Sequence, residues 1–153
     1  MNELDDKILA SLLKDARTPH AQIAEEIGLS RPAVSERVKK LEQTGIIKGY
    51  SAILDPTALG QSITAFISAR HPGIVQKETE KALRDLANRD DILEIHTVAG
   101  EDCFLIKVRT TSITELNEIM KLLKKPPLTM STKTTIALAS YFEKVGGTIL
   151  KSE

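Results

Sequence analysis

Tryptophan is absent from this chain of 153 residues, and three Phe and two Tyr are its only aromatic residues. So little ring bulk is thin material for two independent cores, which predicts small domains that lean on each other or on a partner chain. Cysteine is nearly absent. Cys103 stands alone, so no intrachain disulfide can form, as suits a reducing compartment. No uncharged run approaches the roughly 18 residues of a membrane-spanning helix. The opening MNELDDKILASLLKD is acidic and amphipathic and lacks the apolar core of a secretory signal. Together these predict a cytoplasmic protein with no membrane partner. Net charge is missing too, with 21 Lys+Arg against 21 Asp+Glu. A neutral chain that binds a polyanion must gather its positive charge locally. His20, His71 and His96 lie far apart, outside any Cys/His spacing that suits zinc. A glycine-rich phosphate loop, a nucleophile elbow and a paired acid–histidine motif are also lacking. The sequence therefore predicts no enzyme, no metal site and no cofactor.

What is present is ordinary globular composition, 41% hydrophobic and 27% charged. Leu4, Ile8 and Leu12 recur every fourth residue with Leu9 and Leu13 beside them, which predicts an amphipathic helix capped by Asn2. Thr18-Pro19 reads as a second start, with Thr as cap and Pro at the first helical position. Ile23, Ala24 and Ile27 give that helix its buried side, and Gly28 ends it. Ser30 caps a third helix from about Arg31 to Thr44, with Pro32 harmless in its first turn. Ile46–Leu54 looks extended, and Asp55-Pro56 closes it as a strand.

The second half alternates. Strands are predicted at Ser62–Arg70, Ile92–Ala99 and Cys103–Thr110, with a last strand or pair of strands in Met130–Tyr141. Helices are predicted at Val75–Asn88 and from Ser112 to about Leu123. Ser112 and Glu115 form the two halves of a capping box. The order βαββαβ is the ferredoxin-like arrangement, in which helices cover one face of an antiparallel sheet. The expected class is α+β: a three-helix helix-turn-helix domain with connector at 1–55, and a ferredoxin-like domain at 56–153.

Thr18–Gly45 is the most informative stretch. A short helix, a glycine turn and a serine-capped second helix make a helix-turn-helix layout. Val34, Val38 and Leu41 form the inner arc of the third helix. The residues predicted to meet DNA are Ser30, Arg31, Pro32, Ser35, Glu36, Arg37, Lys39, Lys40 and Gln43. The early ones reach base edges, and the Lys and Arg residues hold phosphates. The plainer reading of the same pattern is a three-helix unit with a solvated basic face. His20 has two readings as well, a phosphate contact or simple solvation at a helix end.

A resemblance to a known family favours DNA. The matching text is Leu4-Asp5-Asp6, Ile8-Leu9, Lys14-Asp15-Ala16-Arg17, Ile27-Gly28-Leu29-Ser30, Glu36-Arg37-Val38 and Leu41-Glu42. It continues through Gly45-Ile46-Ile47-Lys48-Gly49-Tyr50, Asp55-Pro56, Leu59-Gly60 and His96–Asp102. In this order the pieces resemble the leucine-responsive/asparagine-synthesis regulators (Lrp/AsnC, or feast/famine proteins) over nearly the whole chain. The resemblance implies a regulator that binds double-stranded DNA and assembles with itself as dimers and as octamers built from dimers. It also implies an amino-acid effector bound between subunits, at positions that here are Ala99, Gly100, Glu101, Asp102, Cys103, Thr134, Thr135 and Ile136. Many relatives carry an acidic residue where this chain has Cys103, and the loss of that carboxylate leaves open a different effector or none. The alternative function is a small-molecule-binding or assembly module whose helical head makes protein contacts.

Overall fold

A computed structural model describes residues 2–144; the expected second domain's residues 145–153 lie outside the described residues. The chain divides into two compact units. One runs to Ile53 and includes Phe142, Glu143 and Lys144; the other is Leu54–Tyr141.

The first unit holds three helices, α1 (Glu3–Lys14), α2 (His20–Ile27) and α3 (Arg31–Gln43). The Asn2 side chain accepts from Asp5 N–H, and the Asp5 carboxylate accepts from Asn2 N–H, so two backbone donors at the start of α1 are satisfied. Gly28 ends α2 at φ 71°, a left-handed position that costs glycine little. Ser30 caps α3 through Ala33 N–H. Ile8, Leu12, Ile23, Ala24, Val34, Val38 and Leu41 close one apolar core, the arc the periodicity predicts. Each of the larger side chains contributes about 1.5–3 kcal/mol by leaving water.

Two expectations are corrected here. Pro19, not Thr18, is the cap of α2, and it offers no side-chain bond. The Thr18 hydroxyl instead donates to the Asp15 carbonyl, closing the α1–α2 turn. The stretch 46–54 is not a strand, since it pairs with no other segment among the described residues. Its β-branched residues favour an extended chain, but a strand exists only where a neighbour completes the ladder.

The second unit contains β1 (Ile63–Arg70), α4 (Lys77–Asp85) continued by a 3-10 turn (Leu86–Asn88), β2 (Ile92–Thr97), β3 (Phe104–Thr110), α5 (Ile113–Lys124) and β4 (Ser131–Ile136). The strands form one antiparallel sheet in the order β2-β3-β1-β4, the ferredoxin-like arrangement. Ala65, Ile67 and Ala69 sit opposite Val108, Ile106 and Phe104, and this row packs on Leu83, Leu86, Leu116, Ile119 and Leu123 of the helical layer. The alternate residues form the other face, which includes Phe66, Ser68, Leu105 and Lys107. Glu94 also belongs there, 3.1 Å from His96 and 3.5 Å from Lys107. The hydrogen bond from His96, with Lys107 assisting, holds the Glu94 carboxyl below its ordinary range despite some desolvation.

The predicted elements shorten at their ends. Val75 and Gln76 precede α4 rather than joining it, and β2 stops at Thr97. Cys103 lies just before β3. The last strand ends at Ile136, so 137–141 is not a second one; Leu138 and Tyr141 stand 99% and 97% exposed. The predicted capping box is half present. Ser112 accepts from Glu115 N–H at 3.2 Å, but the Glu115 carboxylate accepts from the Thr111 N–H and hydroxyl.

Candidate functional site

The candidate nucleic-acid surface is built on α3. Val34, Val38 and Leu41 point into the helical core, which turns the opposite arc outward. Arg31, Pro32, Glu36, Lys39, Lys40 and Gln43 are exposed, and Ser30 sits exposed at the cap. Arg31, Lys39 and Lys40 make no ion pair among the described residues, so their charges are available to an outside anion. Arg31, Ser35 and Lys39, spaced four apart, share one row along the helix.

Two of the predicted contacts are engaged within the chain. Arg37 is half-buried, and its Nη1 donates to Asp5 Oδ1 at 2.8 Å, tying α3 to the first turn of α1. Ser35 is half-buried, with its Oγ 2.9 Å from Nδ1 of His20, the first residue of α2. Sequence reasoning missed both pairings, because partners 32 and 15 residues apart leave no periodic signal. At the far end of α3, Tyr50 donates to Glu42 Oε1 at 2.9 Å. Desolvation, with the Glu42 charge and hydrogen bond, pushes the Tyr50 phenol up to about 12.

The predicted effector residues divide into two groups. Ala99–Asp102 form the turn between β2 and β3. It is closed by Val98 N–H to the Cys103 carbonyl and by Cys103 N–H to the Ala69 carbonyl, both at 3.0 Å. Gly100 has φ 153°, a conformation side chains disfavour, and a Cβ there would meet nothing within 4 Å. Glu101 is exposed and Asp102 half-buried. Thr134, Thr135 and Ile136 lie on β4, with β1 between them and β3. The registers put Cys103 and Thr134 two strands and about three residues apart, which is roughly 14 Å. The β4 residues also alternate. Thr134 turns to the helical layer and donates to Met120 Sδ, while Thr135 pairs with Phe66 on the other face. One chain therefore does not bring the eight residues together. A groove of about 580 Å³ opens elsewhere, between α4 and β2, lined by Val75, Leu83, Arg84, Ile95, Thr97 and Phe104 among others; none of the eight lines it. Among the described residues no group of three or more His, Cys, Asp or Glu could hold a metal ion, and no helix is long and apolar enough to cross a membrane.

Comparison with known proteins bears on both units. Residues 1–48 match a family model for winged helix-turn-helix DNA-binding. Residues 64–146 match one for the Lrp/AsnC ligand binding domain. The chain is 32% identical to the HTH-type transcriptional regulator FL11 of Pyrococcus horikoshii, over 94% of this chain and 93% of that protein. It is 37% identical to the regulatory protein AsnC of Haemophilus influenzae, over 78% of this chain and 79% of the other. Among solved structures, it resembles a feast or famine regulatory protein from M. tuberculosis complexed with L-methionine. That likeness has a TM-score of 0.85 at 26% identity, over 95% of this chain and 97% of that one.

Proposed function

This chain belongs to the Lrp/AsnC family of helix-turn-helix transcriptional regulators with a ligand-binding domain, and from that premise we propose how its residues divide the work. Residues 1–55 bind double-stranded DNA, with the exposed arc of α3 toward the duplex. Residues 56–153 assemble subunits and sense a small molecule. The observation that carries the DNA reading is the set of cations on that arc, Arg31, Lys39 and Lys40, with no ion pair among the described residues, on a helix otherwise fixed by its core. They supply the local positive charge that a neutral chain needs. Lysine and arginine there hold phosphates, while Ser35 and Glu36, nearer the start of α3, face base edges. The protein acts in the cytoplasm and performs no catalytic step.

An amino acid is the proposed effector, supported by the L-methionine in the related M. tuberculosis protein. A free amino acid is far shorter than the roughly 14 Å between Cys103 and Thr134. This separation, with Thr134 turned to the helical layer, supports a site made by the turn of one copy and the β4 residues of another. A site shared between copies needs self-association, proposed here as dimers and as octamers built from them, with Phe66 37% exposed on the sheet face that the helices leave uncovered.

The test is duplex binding measured against salt. Neutralising Z phosphates gives a log–log slope of about −0.9Z, and the DNA reading expects a clear negative slope. Affinity independent of salt favours the alternative, a helical head that makes protein contacts.

A further inference from the structure

We propose that His20 sets the base preference of α3 through Ser35, as a positioning residue that need not touch a base itself. The inference rests on the DNA-binding reading above and adds a residue to that site. Ser35 stands in the middle of the row Arg31–Ser35–Lys39, half-buried on the side of α3 that meets α2. Its hydroxyl has His20 Nδ1, at 2.9 Å, as its one hydrogen-bond partner among the described residues.

A serine hydroxyl without a partner rotates freely. It donates to one base edge as readily as it accepts from another, and so distinguishes bases poorly. An imidazole nitrogen fixed beside it removes that freedom. When Nδ1 carries no proton, Ser35 donates its only proton to His20. It then offers lone pairs outward, which suit the amino groups of cytosine and adenine. When Nδ1 carries the proton, Ser35 accepts it and turns its own O–H outward, which suits O6 or N7 of guanine or O4 of thymine. In the first state Ser35 can only accept from a base; in the second its O–H is free beside one remaining lone pair, so the donor is available only when Nδ1 carries the proton.

His20 is well held for this task. It opens α2, and the same helix buries Ile23 and Ala24 in the core that receives Val34 and Val38 of α3. The imidazole is thus carried on a packed helix rather than on a loop, which is what a fixed hydrogen-bond geometry requires.

The experiment first selects duplexes from a random pool with the wild-type chain. Affinities are then measured for a selected site and all its single-base variants. The proteins compared are wild type, His20→Ala, His20→Asn, Ser35→Ala and the double alanine variant. Thermal unfolding of each separates a lost preference from a lost fold. His20→Ala is expected to lower discrimination at one base position by about 3- to 10-fold with the salt slope unchanged. Ser35→Ala flattens the same position, and the double variant is no worse than Ser35→Ala alone. His20→Asn, which keeps a polar atom near the Nδ1 position, restores part of the preference. Uniform weakening on every duplex with a shallower slope would make His20 a phosphate contact and overturn the inference. Losses that add, or that fall at different base positions, overturn it as well. A wild type that shows no salt-dependent DNA binding overturns the underlying reading itself, a result distinct from the others.

Discussion

Arg37 Nη1 lies 2.8 Å from Asp5 Oδ1, so a guanidinium on α3, the helix proposed to face DNA, is turned inward to α1. Both side chains are mostly shielded, at 32% and 16% exposure, so the pair is less screened than a surface bridge. Arg37→Ala should lower the unfolding free energy of the helical head by about 1 kcal/mol and leave the DNA salt slope as it is. Asp5→Ala should cost more, because Asp5 Oδ2 also accepts from Asn2 N–H. Denaturant unfolding beside salt titration checks both. A slope shallower by about 0.9 in Arg37→Ala would return the residue to the phosphate contacts.

Lys39 and Lys40 should behave in the opposite way. They are exposed and lie off the Val34/Val38/Leu41 arc, so replacing both by alanine leaves packing intact. The double variant should unfold like wild type. It should bind all duplexes more weakly, with a slope shallower by about 1.8 if each lysine meets one phosphate. Unchanged affinity and slope would show that the wrong face of α3 has been assigned.

The Tyr50–Glu42 hydrogen bond gives the connector a pH signature. Burial and Glu42 raise the Tyr50 phenol to about 12 from an ordinary 10.0. A raised folded value means that the phenol's contribution to stability is fully present below pH 10 and is lost as pH climbs toward 12. Absorbance of ionised phenol should show one late-titrating tyrosine. That late titration should disappear in Tyr50→Phe and move part of the way down in Glu42→Gln, since desolvation remains. Tyr50 titrating near its ordinary 10.0 would show that the bond does not persist in solution.

Gly100 separates backbone strain from crowding. Within one chain a side chain there enters open space, but φ 153° disfavours any L-residue. Gly100→Ala should therefore cause a modest loss of stability and keep assembly intact. Gly100→Arg should also disturb assembly or abolish an amino-acid response, because the arginine reaches whatever packs over the turn. Light scattering of both variants, with and without a panel of amino acids, tests this. Assembly and effector response in Gly100→Arg equal to those of Gly100→Ala would place the turn on free surface.

The sequence by itself determined the elements and the inner faces. Period-four repeats placed Ile8 and Leu12 inside, and Gly28, Ser30 and Pro32 located the boundaries of α2 and α3. These are local signals, because helix and strand repeats and cap chemistry act within a few residues. The tertiary structure decided which polar groups were already engaged. Asp5 holds Arg37, His20 holds Ser35, and Glu42 holds Tyr50, through hydrogen bonds between elements that no local pattern records. It also decided that the connector finds no strand partner among the described residues, and that the two halves of the expected effector site lie two strands apart. Strand pairing and side-chain convergence depend on which distant segments meet, and a hydrophobic pattern along one chain is the same whichever neighbour completes it.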